Sequence, residues 1–228
     1  MNILEYAVIK KKLGGSAGGG GDSSGGDGGV EKYFEARHET VELPNATAIK
    51  EYAFYYDTVI KNIIMPKVTS IGSRAFYGCS NLALTELPSG VTNIENYAFQ
   101  DCKKLALTEI PSGITTLENF VFYRCSNLAL TKLPSSITTI YQNVFYECKN
   151  LALTEIPSGI TTISLGAFYG CSNLTTITFK GTPTSIHTSA FGGCNNLTVI
   201  NVPWAEGAVA NAPWGATNAT INYNYTGE

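Results

Sequence analysis

Apolar residues return in a fixed order along most of the chain. From Cys79 the order is Cys79 and Leu82, then Leu87, Val91 and Ile94, then Ala98 and Phe99, with polar residues between and Pro-Ser-Gly at 88–90. The run at 82–87 predicts a strand, 88–90 a turn, and 91–94 a second short extended piece. The stretch NYAFQD at 96–101 predicts a short helical or 3₁₀ turn that seats its phenylalanine in the core.

The same order then repeats. Cys79, Cys102, Cys125, Cys148, Cys171 and Cys194 are each 23 residues apart, and Phe76, Phe99, Phe122, Phe145, Phe168 and Phe191 keep the same interval. An earlier copy has Phe54 in place, Asp57 where the cysteine would stand, and one residue fewer; a half-copy, TVELPNATAIKEYAF, opens the array. A period of this length, with leucines at fixed columns, predicts a solenoid in which each coil buries its face against its neighbours. Coils stacked about 4.8 Å apart bring the strands into a parallel sheet, so seven to eight coils span roughly 35–40 Å.

The pattern C-x-x-L, then P-x-x-[VI]-T-x-[IL]-x-x-x-[AV]-F, resembles that of the BspA-like, or Treponema-type, leucine-rich repeat family. It runs through about 40–202. The resemblance implies a mainly β, right-handed leucine-rich-repeat solenoid and a role in bacterial surface adhesion and protein binding. The tail VPWAEGAVANAPWGATNATINYNY looks like the cap that ends such arrays in proteins of gut bacteria and their prophages. A cap is needed because the last coil would otherwise expose its apolar face. Trp204 and Trp214 are suited to cover it, and 219–225 reads as a closing strand. The expected organisation is therefore an amphipathic segment at 1–13, a linker at 14–29, a solenoid at 30–202 and a cap at 203–228. Ten of the sixteen linker residues are glycine, which gives a typical reach of roughly 20–24 Å.

Charge and composition narrow the function. The net charge of −3 over 228 residues leaves no electrostatic footprint for nucleic acid. No apolar run approaches the roughly 18 residues of a membrane span. The opening MNILEYAVIKKKL places its apolar stretch before its lysines, the reverse of a secretory signal, although the resemblance points outside the cell, to a cell surface or a virion.

Candidate chemistry is sparse. The cysteines show no C-x-x-C pair, so they read first as buried, reduced thiols, with inter-coil disulfides and metal binding as lesser alternatives. The two histidines, His38 and His187, fall in different coils with no ligand cluster. Glu86 and Glu109 lie one coil apart, about 5 Å, the separation of a retaining glycosidase pair. Their column continues with Lys132 and Glu155, however, and nothing separates an acid from a nucleophile. The stripe reads as solvated, with no catalytic residue, metal or cofactor expected.

Two columns remain as a possible partner surface beside that stripe. Tyr77, Tyr123, Tyr146 and Tyr169 follow the core phenylalanines directly, with Gln100 interrupting, and a partly exposed aromatic row can anchor a protein or stack on a sugar. Leu84, Leu107, Leu130 and Leu153 belong to a phrase, LALTE or LALTK, absent from the flanking coils. Aligned with the ordinary coil LTTITF at 174–179, that phrase puts Thr85, Thr108, Thr131 and Thr154 inward and the leucines on the concave face. A local bulge reverses both. The expectation is a non-enzymatic binding module for a protein or glycan ligand. The two settings are a bacterial surface protein and a prophage-encoded tail appendage with 1–13 docked on the particle. The oligomeric state is not legible.

Overall fold

The computed structural model describes residues 39–227. The predicted amphipathic segment, the glycine linker and His38 lie outside the described residues. The rest is a β-solenoid of about eight turns, roughly 23 residues apart, with no helix among the described residues.

Each turn contributes up to two short strands, and every pairing is parallel. On the second extended piece lie β2 (Ala48–Ile49), β4 (Ser70–Ile71), β5 (Asn93–Ile94), β6 (Thr116–Leu117), β7 (Thr139–Ile140), β9 (Thr162–Ile163) and β11 (Ser185–Ile186). β2, β4 and β5 form one sheet and β6, β7, β9 and β11 another, paired one turn apart, with Ile140 opposite Ile163 and Ile163 opposite Ile186. The first piece carries β1 (Thr40–Glu42), β3 (Asn62–Ile64), β8 (Glu155–Ile156), β10 (Thr176–Phe179), β12 (Val199–Asn201) and β13 (Thr220–Asn222). Here the sheets are β1 with β3, then β8, β10, β12 and β13, with a gap between them. The β-branched residues at Thr-Thr-Ile suit such narrow, one-side-buried strands.

The gap corrects the predicted strand at 82–87 and its copies. In the ordinary coil, Leu174, Ile177 and Phe179 are buried while Thr175 and Thr176 take the solvent side. In the first phrase coil, Leu82, Leu84 and Leu87 are buried and the adjacent outward pair is Thr85 and Glu86. The outward pair has moved along the coil, and with it the leucine turns in and the threonine out. Leu84, Leu107, Leu130 and Leu153 are all core residues, at most 6% exposed. The literal alignment is wrong because burying a leucine contributes about 1.5–3 kcal/mol, whereas burying an unpartnered hydroxyl costs about 1–3. Regular ladder bonding is lost in exchange, though the N–H of Ala106 still donates to the Leu84 carbonyl at 2.9 Å, and that of Ala152 to Leu130 at 3.0 Å.

The core is a set of ladders. Seven phenylalanines, from Phe54 to Phe191, stack with successive ring centroids 5.0–5.8 Å apart and planes within 17° of parallel. All six cysteines are buried thiols with no disulfide among them. Each donates its S–H to the phenylalanine carbonyl of the preceding coil, as from Cys125 to Phe99 at 3.0 Å and from Cys148 to Phe122 at 3.0 Å. Burial pushes the thiols of Cys102, Cys125, Cys148, Cys171 and Cys194 up, the last to about 12.

The short helical or 3₁₀ turn predicted around each phenylalanine is a pair of tight turns closed by i→i−3 hydrogen bonds, with no helix. Alternate N–H groups bond within the turn, Ala98 to Glu95 and Gln100 to Tyr97, while those of Tyr97, Phe99 and Asp101 donate to Asn119, Val121 and Tyr123 of the next coil. Facing its donors along the stack requires left-handed residues two before and two after the phenylalanine. Tyr97 (φ 63°), Asp101 (φ 59°), Phe120 (φ 58°) and Arg124 (φ 57°) occupy such positions. A non-glycine residue there costs about 1–2 kcal/mol, which the inter-coil hydrogen bonds and the phenylalanine stack offset.

At the C-terminal end the chain packs two tryptophans onto the last coils. Trp214 and Trp204 are buried, and Phe179 meets Trp204 edge-on at 5.2 Å. The N–H of Phe191 donates to the Trp214 carbonyl at 2.9 Å, so the cap continues the turn column. β13, shorter than the 219–225 expected, pairs with β12, Ile200 opposite Ile221.

Candidate functional site

The turn column sets side chains in two parallel rows on one flank. Residues directly after the core phenylalanines form the first row. Tyr55 and Tyr77 approach to 5.1 Å, then Gln100 intervenes and donates its Nε2–H to the Tyr77 Oη at 3.1 Å. Beyond it Tyr123, Tyr146 and Tyr169 stack at 4.7 and 4.9 Å. The predicted tyrosines therefore lie together, half-buried, with Tyr169 39% exposed. Burial, the Tyr56 hydroxyl and the Asp101 charge push the Tyr77 phenol up to about 12, so it stays a neutral hydroxyl at ordinary pH.

The second row comes from residues two before each phenylalanine. The Arg74 guanidinium lies 4.4 Å from the Tyr97 ring centre and 5.6 Å from that of Tyr52, and its Nη1 donates to the Tyr52 Oη at 3.2 Å. Tyr97 stacks on Phe120 at 4.9 Å, and Phe120 reaches Tyr123 of the first row at 5.5 Å. The Arg124 guanidinium lies 5.1 Å from the Tyr123 ring centre.

Where Gln100 breaks the first row, the two rows enclose an open groove of about 360 Å³. Its walls are Tyr55, Arg74, Tyr77, Tyr97, Gln100, Phe120, Tyr123 and Arg124. Five aromatic rings and two cations converge here. Of these walls Tyr77 and Tyr123 were legible as a column in the sequence, whereas Tyr55, Arg74, Tyr97, Gln100, Phe120 and Arg124 were not legible as a site. Their signal was present in EYAF, SRAF, NYAF and NFVF, where a large residue recurs two positions before each core phenylalanine.

The other predicted columns separate. Leu84, Leu107, Leu130 and Leu153 offer no surface, because they are buried as described above. Glu86, Glu109, Lys132 and Glu155 are exposed on the face of the first sheet, beside the exposed Thr85, Thr108, Thr131 and Thr154. Glu155 pairs with Lys180 at 2.9 Å, a solvated ion pair with about half of each side chain exposed. Such pairs contribute little to stability. The His187 ring nitrogen Nδ1 bonds the hydroxyl and N–H of Ser189. Among the described residues no group of three or more metal-ligating side chains gathers, and no helix is long and apolar enough to cross a membrane.

A family model described as BspA type leucine rich repeat region matches residues 47–164 and 104–207, with six copies. The chain belongs to the BspA-type leucine-rich repeat family. Among solved structures, the leucine rich repeat protein of T. pallidum, TpLRR, is 30% identical and has a TM-score of 0.61. That match covers 69% of this chain and 77% of that one. A leucine rich cell surface protein of Faecalibacterium prausnitzii is 22% identical over 82% of this chain and 79% of its own, with a TM-score of 0.45. A leucine-rich repeat protein of Bacteroides ovatus is 23% identical over 81% of this chain and 60% of its own, with a TM-score of 0.48. No curated protein matches. Membership of a BspA-type repeat family points to protein interaction and gives no positive sign of catalysis.

Proposed function

We propose that this BspA-type solenoid is a non-enzymatic module, displayed on a bacterial surface, that holds a protein partner against its aromatic flank. One observation carries the reading. Tyrosine and arginine, the residue types that dominate binding energy at protein interfaces, collect around a single groove on a stacked frame. Fixed by the turn column, these rings lose little conformational freedom on binding, which is where preorganised surfaces gain affinity. The Glu86 to Glu155 stripe is the weaker candidate, because its side chains are solvated and Glu155 is already paired with Lys180.

The test is a binding survey of the full chain against immobilised host-matrix proteins and a glycan array. For each matrix protein bound by the parent chain, Tyr97→Ala combined with Tyr123→Ala is expected to weaken binding by about thirtyfold or more, with circular dichroism showing the fold retained at the assay temperature. Binding unaffected by the double substitution, or confined to neutral glycans, contradicts the proposal.

A further inference from the structure

Resting on that reading, we infer that the groove between the two aromatic rows takes a short acidic segment of a protein partner, a carboxylate flanked by an aromatic side chain. The geometry of the rings comes first. Tyr97 is stacked between the Arg74 guanidinium and Phe120, and Tyr123 is stacked on Tyr146. Much of their ring face is therefore covered within the rows, and the groove is presented mainly with ring edges, hydroxyls and guanidinium N–H groups. An aromatic edge carries partial positive charge and its face partial negative charge. A surface of edges and guanidiniums attracts an anion, and accepts the face of an incoming ring in an edge-to-face contact. Neutral sugars, which need open ring faces to stack on, are poorly matched.

Charge points the same way. Two arginines line the groove and no carboxylate does, on a chain whose net charge is −3. Of the acids behind the rim, Glu147 is paired with Arg124, while Asp101 keeps its charge and is turned to Gln100. Asp101 accepts from the Gln100 Nε2 at 3.2 Å, and Glu147 lies 3.6 Å from the Arg124 Nε in an exposed pair. Arg74 makes no ion pair among the described residues; it lies over Tyr97, with one Nη1 N–H donated to the Tyr52 Oη and its other N–H groups left for a carboxylate. Stacking on the ring fixes the guanidinium before any ligand arrives. The volume of about 360 Å³ is at the low end for ligand pockets, about 300–1,000 Å³, so it admits a few side chains of an extended segment. The Gln100 Nε2 is occupied by Tyr77 and Asp101, which leaves its Oε1 to accept a main-chain N–H from that segment.

The experiment uses the full chain and a short fluorescein-labelled peptide alternating glutamate with phenylalanine, read by fluorescence anisotropy. Three controls accompany it: the same peptide with lysine for glutamate, the same with alanine for phenylalanine, and a uronate oligosaccharide. The acidic aromatic peptide is expected to bind and to weaken with added salt. Arg74→Gln should lower its affinity by about tenfold or more, the scale of a lost hydrogen bond to a charged group. Arg74→Lys, which keeps the charge but not the planar fork, should recover part of the loss. Thermal melts of both variants confirm that the fold is retained.

Equal binding of the lysine peptide overturns the inference, as do unchanged affinity in Arg74→Gln and tighter binding of the oligosaccharide. The two proposals fail separately. If the peptide does not bind but the Tyr97/Tyr123 substitutions abolish capture of a matrix protein, the acidic-segment chemistry falls and the flank remains. If the peptide binds in an Arg74-dependent way while matrix capture ignores those tyrosines, the flank's proposed function falls and the groove remains.

Discussion

Leu130→Ala is expected to destabilise the solenoid by about 2–5 kcal/mol, the cost of emptying a fully buried leucine site. Leu130 is 0% exposed and lies between Leu107 and Leu153, also buried. A void there faces a neighbour on both sides of the stack. The adjacent Thr131 is exposed, so Thr131→Ala should change stability by no more than about 0.5 kcal/mol. Urea unfolding of the two variants separates the alternatives left open by the sequence. Had the phrase kept the ordinary register, the threonine would be the sensitive position and the leucine the tolerant one.

The second large effect is alkaline. Burial, the dominant cause, raises the thiols of Cys102, Cys125, Cys148, Cys171 and Cys194 above their ordinary 9.0. In the unfolded chain these thiols ionise first. Their contribution is therefore complete below pH 9.0 and is lost as pH rises through the folded values, for Cys194 up to about 12. Each such thiol withdraws about 1.4 kcal/mol of stability per pH unit across that window. Several acting together predict a steep fall, with unfolding by about pH 10.5 in a protein of ordinary stability. The Tyr77 phenol, raised to about 12, acts in the same sense above its ordinary 10.0. Circular dichroism during an alkaline titration should show that fall, and Cys125→Ala, compared with the parent at matched stability, should lessen its slope. A stability that is flat between about pH 9 and 11 would contradict burial of the thiol ladder.

The period, the coil order and the phenylalanine and cysteine ladders were legible because a solenoid repeats one set of contacts. A column conserved at an interval of 23 within the chain is a column in space. The register of LALTE was not legible in the same way. Leu-Ala-Leu-Thr alternates cleanly, so either alignment produces a plausible strand, and only the relative cost of burying Leu84 or Thr85 decides. The paired turns were hidden for another reason. Their left-handed positions hold Tyr97, Phe120, Arg124 and Glu147, residues whose types do not announce that conformation. Asn143 and Gly166 in one column, with Gly78 and Gly170 in the other, are the residues that normally mark it.

The site followed the same division. Tyr123, Tyr146 and Tyr169 were readable as a row because they repeat. The groove exists because a row is interrupted at Gln100 and because Arg74, Tyr97 and Phe120, three different residue types, share one column. Chemistry built on the exceptions to a repeat is invisible to a search for the repeat. The leucine column went the opposite way: the sequence left it between core and surface, and it is core.

The central functional claim, that the aromatic flank and not the first-sheet face meets the partner, is tested most directly by hydroxyl-radical footprinting. The full chain is oxidised alone and bound to whichever matrix protein it captures from the survey. Tyr97, Phe120 and Tyr123 should lose reactivity on binding, while Ile64, 47% exposed in the register column of the Glu86 stripe, should keep it. Protection of Ile64 with the flank tyrosines unchanged would contradict the account.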